Sequence, residues 1–184
     1  MIKSFSISIL MGALLFGSCI MAEVGDSILT ATCGIYTFNH FDITDDSFMS
    51  EVEITCHAHG EEVGVVFYSK IPLRKEYVVH TLYVHPQYRE QGHGTAMLSY
   101  VSDHLKAIGA KCAYIQPGPF EMGVRGEVLM TQEERAKRIQ WLIAFYKKNQ
   151  FTPFKKWLTP FMRVVYACMG IKEDPAHLMV KVLV

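Results

Sequence analysis

The chain has 184 residues, half of them hydrophobic, which is enough for one domain with a sizeable core. Lysine plus arginine and aspartate plus glutamate number 18 each, so no charged face is advertised and nucleic acid is excluded as an expected partner. The five cysteines (Cys19, Cys33, Cys56, Cys112, Cys168) form no Cys-x-x-Cys pair, which argues for buried thiols and against a disulfide framework.

Lys3 precedes an uncharged, apolar stretch over residues 4–22 that ends in Ile20-Met21-Ala22. Residues 1–22 read as an export signal or a single anchor, set apart from a domain at 28–184. Met21-Ala22-Glu23 would equally make an ordinary cytoplasmic start, so the compartment stays open, and a membrane enters only through residues 1–22 if they are retained.

Residues 28–40, β-branched and aromatic around Gly34, predict a first strand, and 42–50 are turn-rich. Residues 51–58 and 62–69, on either side of His59-Gly60, predict a hairpin. Residues 77–84 are apolar on both faces, as a central strand requires: Val78, His80, Leu82 and Val84 alternate with Val79, Thr81 and Tyr83. Cys56-His57-Ala58-His59 invites a metal reading, but alternation puts the two histidines on one side and the cysteine on the other. That leaves two ligands at most, and no metal is expected.

Pro86 stops the central strand, and a polar loop leads through Arg89 to Gly92-His93-Gly94, where a helical pattern begins. Glycines let the backbone approach a ligand, and the N–H groups of a helix start favour an anion. Arg89 adds a fixed cation, so the loop looks built for a pyrophosphate. Met97, Leu98, Val101, Leu105 and Ile108 then recur at helical spacing over 94–109, closed by Gly109. A strand over 110–116 ends at Pro117-Gly118-Pro119. Strand, helix, strand with a short return implies a parallel pair, with the loop at the carboxyl end of its strand. Thr131-Gln132-Glu133-Glu134 is a capping box opening a helix to about 149, with Ile139, Leu142, Ile143 and Tyr146 on one stripe. Thr159-Pro160 predicts a further helix to 169, and residues 177–184 a closing strand.

Arg89-x-x-Gly92-x-Gly94 between a strand and a helix resembles the acetyl-CoA signature of the GNAT superfamily of N-acetyltransferases. Phe145-Tyr146-Lys147-Lys148-Asn149-Gln150-Phe151 resembles its second motif, with Gln150 where the turn usually has glycine. The resemblance covers about residues 51–184. It implies an α/β acyl-CoA N-acyltransferase fold: a mixed, mostly antiparallel central sheet with a parallel β-α-β crossover at the CoA loop. It also implies an acyl-CoA-dependent N-acyltransferase that moves an acetyl group from acetyl-CoA to a primary amine by direct transfer, without a metal. Leu82, Tyr83 and Val84 would hold the pantetheine and acyl carbonyl through their backbone. Arg89, Glu90, Gln91, Gly92, His93, Gly94 and Thr95 would surround the phosphates. Tyr146 would protonate the leaving thiolate.

His80 is the candidate base, because an imidazole titrates near neutrality. Residues 79–94 are locally similar to the arylalkylamine N-acetyltransferases, which carry histidine on this strand. The acceptor is left as a small-molecule or peptide amine. In the family two helices normally separate the first two strands and wall the acceptor site. About ten residues do so here, which shifts that wall to the loop at 117–130. The shortened wall also keeps open a non-catalytic CoA-binding or protein-interaction module on the same fold.

Overall fold

A computed structural model describes residues 20–24, 28–43, 50–118, 131–154 and 177–183. Its strands are β1 (Ile20–Val24), β2 (Ile28–Cys33), β3 (Tyr36–Asp42), β4 (Glu51–Ala58), β5 (Glu61–Lys70), β6 (Glu76–Val84), β7 (Cys112–Ile115), β8 (Thr152–Pro153) and β9 (Met179–Val182). They form one sheet in the order β1-β2-β3-β4-β5-β6-β7-β9-β8. Every neighbouring pair is antiparallel except β6 and β7, which run parallel across the helix α1 (His93–Ala107). This is the mixed, mostly antiparallel sheet with one parallel crossover that the sequence led us to expect.

The first strand is a correction. Residues 28–40 do not run as one strand but reverse at Gly34-Ile35, where Gly34 takes φ 62°, and β2 pairs back on β3 from Cys33↔Tyr36 to Ile28↔Phe41. β-propensity is the same on both arms of such a reversal, so composition hides it. β1 extends the same edge by pairing antiparallel with β2. The β4–β5 hairpin is as expected. His59 and Gly60 both have positive φ, 54° and 85°, the backbone of a two-residue turn whose twist matches its strands.

The main core lies between one sheet face and the helices. Phe38, Ile54, Cys56, Val66 and Val79 meet Met97, Leu98, Val101 and Leu105 of α1, all buried, with Tyr146 and Phe151 in the same cluster. Each such aliphatic side chain contributes about 1.5–3 kcal/mol by leaving water. Val78, Ile71, Tyr114 and Leu178 form a smaller second cluster, which makes β6 apolar on both sides. α1 ends as its glycine predicts: Gly109 has φ 81°, and the N–H groups of Gly109 and Ala110 reach the carbonyls of Lys106 and Leu105. The second helix, α2 (Gln132–Lys148), opens on the expected capping box, with Thr131 Oγ1 accepting from Glu134 N and Glu134 Oε2 accepting from Thr131 N. The helix expected from Thr159 and most of the loop at 117–130 lie outside the described residues.

Candidate functional site

β6 and β7 form a fork. Their parallel ladder runs from Glu76↔Cys112 to Val79↔Ile115, after which β6 continues to Val84 with no strand on that edge among the described residues. The β6 edge along Leu82, Tyr83 and Val84 is therefore unpaired by a strand on that side, and an extended ligand can hydrogen-bond such an edge as a strand would.

His80 stands at the fork. The pairing of β5 with β6 passes from Phe67↔Thr81 to Tyr68↔Val79, so His80 is an extra residue, a β-bulge. The bulge corrects the expected alternation. Val79, Leu82 and Val84 all pack with the α1 cluster, whereas Val78 faces the other one. His80 does not share the face of Leu82 and Val84. Its Nε2 lies 2.6 Å from Oγ of Ser69, a buried residue paired with Val78 on the opposite side. Burial pulls the imidazole pKa below its usual range, opposed by the nearby Glu51 carboxylate, so the site favours the neutral ring. Ser69 was not singled out from the sequence, because its contact with His80 depends on the register of two paired strands.

Beyond Val84 the chain makes a single 3-10 turn at Pro86–Tyr88 and enters the loop. Arg89 Nε donates to the Val84 carbonyl at 3.0 Å, and its guanidinium lies 5.8 Å from the Tyr83 ring, which ties the loop to the end of β6. Glu90 and Gly92 both have positive φ, 64° and 89°, curling the backbone ahead of α1. Gln91 is held by its Nε2 donating to the Gln87 carbonyl. No side chain caps α1. The Thr95 and Ala96 N–H groups donate to the Gly92 carbonyl, whereas those of Gly92, His93 and Gly94 have no acceptor among the described residues. Such a curled run of amides with the helix dipole behind it binds anions. The His93 imidazole is used inside the fold, buried with Nδ1 3.1 Å from the Tyr36 hydroxyl, so a ligand contact there falls to the backbone.

α2 closes the site from the far side of the loop. A β-carbon on Gly94 would stand 3.3 Å from Phe145 Cζ and 3.6 Å from Val84 Cγ2, so a side chain there would press on Phe145 where β6, α1 and α2 converge. Tyr146, next to Phe145, is the buried residue of α2, packed against Phe151. Its hydroxyl has no hydrogen-bond partner among the described residues, and burial pushes its ionisation above the ordinary phenol range. The turn after it keeps the geometry a glycine would give: Gln150 takes φ 71°. Elsewhere, Cys56 is fully buried in the core and its thiol is pushed up to about 12 by burial. No group of three or more His, Cys, Asp or Glu among the described residues is placed to hold a metal.

Residues 50–153 match the family model described as the acetyltransferase (GNAT) domain. The chain belongs to the GNAT family. That match spans the fork, the Arg89–Gly94 loop, α1 and α2. Among solved structures the chain is similar to a GNAT-family acetyltransferase from Staphylococcus aureus Mu50, at 14% identity and a TM-score of 0.48 over 73% of this chain and 69% of that one. It is similar also to Tetrahymena GCN5, at 15% identity and a TM-score of 0.47 over 76% and 71%. A third is the PaiA N-acetyltransferase from Thermoplasma acidophilum in complex with coenzyme A, at 14% identity and a TM-score of 0.45 over 72% and 60%. No curated protein matches. The assignment to the GNAT family rests on the domain match. The interval between β3 and β4, where that family normally has two helices, is residues 43–50 here.

Proposed function

We propose that this protein transfers an acetyl group from acetyl-CoA to a primary amine in one direct step. Diphosphate oxygens sit on the amides of Gly92, His93 and Gly94, with Arg89 beside them, Gln91 and Thr95 flanking them and Glu90 at the loop's rim. The pantetheine arm lies along Leu82, Tyr83 and Val84 in the fork and carries the thioester toward the junction of β6 and α2. His80 takes a proton from the incoming ammonium, directly or through water. The neutral nitrogen adds to the thioester carbonyl, the C–S bond breaks as the C–N bond is kept, Tyr146 gives its proton to the departing thiolate, and the second proton shed by the nitrogen restores the Tyr146 hydroxyl. His80 is suited to the first task because burial keeps it neutral, and Tyr146 to the second because burial keeps it protonated.

The observation that carries this reading is the convergence at Gly94: the uncapped amides of α1, the Val84 end of β6 and Phe145 of α2, the neighbour of Tyr146, meet around one glycine. The acceptor is a small-molecule or peptide amine. The test is release of free CoA from acetyl-CoA across a panel of amines, with calorimetric binding of CoA in parallel. Tyr146→Phe is expected to cut turnover by about tenfold or more while CoA affinity stays nearly unchanged. CoA binding without turnover on any amine would instead identify a non-catalytic module, and no CoA binding at all would overturn the reading.

A further inference from the structure

α2 carries a second stripe, apart from the face that Tyr146 buries. Phe145, which meets Gly94, lies parallel to Trp141 one turn earlier, with ring planes 2° apart and centroids 5.7 Å apart. Trp141 is 50% exposed, and the Arg138 guanidinium rests 4.6 Å from its ring centroid. Arg138 has no carboxylate partner among the described residues. The row therefore leads from the anion-binding loop outward to solvent, ending in a half-open indole and an unneutralised cation. Core packing does not require a tryptophan there, and a large aromatic surface left half in water is a place to look for a ligand.

We propose that Trp141 is the platform on which the adenine of CoA stacks, with Arg138 moving from the indole to the 3′-phosphate. This rests on the reading of the loop as the diphosphate site. Adenosine is joined directly to the diphosphate, so its base must come to rest near the loop. Phe145 is taken up against Gly94, and Trp141 is the next aromatic surface along the row. An indole accepts any purine through its π-face, and a planar guanidinium can stack on the base or fork onto a phosphate. The consequence is selectivity for free acyl-CoA over acyl groups carried on phosphopantetheine without adenosine.

Calorimetry on the full chain with CoA, dephospho-CoA and 4′-phosphopantetheine tests this. Trp141→Ala is expected to weaken CoA by about tenfold and leave 4′-phosphopantetheine within about twofold, while Trp141→Phe retains most of the CoA affinity. Arg138→Gln is expected to weaken CoA more than dephospho-CoA. If Trp141→Ala leaves CoA affinity unaltered, or weakens both carriers equally, the adenine platform is overturned while the loop stands. If the unaltered protein binds no CoA, both fall.

Discussion

Gly94 and Phe145 meet at a point where α1, α2 and β6 come together, with 3.3 Å between the Phe145 Cζ atom and the place a Gly94 β-carbon would occupy. A glycine in the first turn of a helix costs about 1 kcal/mol relative to alanine, so helix stability does not explain its presence. Close approach does. Gly94→Val would force Phe145 back from the loop and disturb its stack with Trp141, at about 1–3 kcal/mol of overpacking. The expected outcome is a melting temperature lowered by several degrees and a KM for acetyl-CoA raised on the order of tenfold. Steady-state kinetics beside a thermal melt checks it, and an unchanged KM would remove Gly94 from the site.

His80 should leave its mark on the pH–rate profile. A general base works only when neutral, and burial lowers the pKa of this ring. The acid limb of kcat/KM is therefore expected below the ordinary imidazole value of about 6.5, with the plateau reached by neutral pH. His80→Gln should lower the plateau by about a hundredfold and abolish that limb. A profile measured from about pH 5 to 9 decides the matter. A variant with wild-type rates would show that His80 is only the filler of its bulge.

A different histidine governs stability in acid. His40 is buried with Nε2 2.6 Å from the Tyr100 hydroxyl, and its ring lies 4.6 Å from that of His104. Tyr68, on the neighbouring side of the same cluster, faces His104. Burial first, and the His104 charge second, hold the His40 pKa down at about 4. The unfolded chain takes up this proton as pH falls through about 6.5, whereas the folded one resists until about 4. The stabilisation is thus full above 6.5 and lost between these values, amounting to about 2 kcal/mol after allowance for solvent screening. His104, also lowered by burial, acts in the same direction. Urea midpoints at neutral and mildly acid pH should show the loss, and His40→Gln should flatten it. Equal slopes in both proteins would refute the assignment.

What could be read from the sequence was what neighbouring residues decide among themselves. The Thr131–Glu134 capping box, the closing turn at Gly109 and the Arg89–Gly94 loop are local patterns, and each is found where it was expected. The parallel β6–β7 pair followed from chain order and a short return. What escaped were features set by partners far along the chain. The bulge at His80 exists because β5 and β6 pair out of step there, and no alternation rule contains that information. Ser69 becomes a partner of His80 only through the same register. The Ile20–Val24 strand lies across the end of an apolar run whose composition suits an export signal equally well.

The turn that departs from the family pattern offers a stability test. Gln150 sits just past α2 with φ 71°, its N–H donating to the Lys147 carbonyl while that of Phe151 donates to the Tyr146 carbonyl, each at 3.0 Å. This left-handed closure is the one in which glycine is ordinarily favoured, and a residue with a β-carbon is strained there by about 1–2 kcal/mol. Gln150→Gly relieves that strain but frees the unfolded chain, so the expected net gain is about 0.5–1 kcal/mol. Gln150→Val, branched at the β-carbon, should destabilise instead. Because the turn delivers the buried Phe151 against the Tyr146 ring at 5.9 Å, loosening it in the valine variant should also lower turnover, whereas the glycine variant should keep it. Denaturant midpoints and initial rates measured on the three proteins test both halves. A glycine variant less stable than the wild type would mean that the glutamine side chain itself holds the turn.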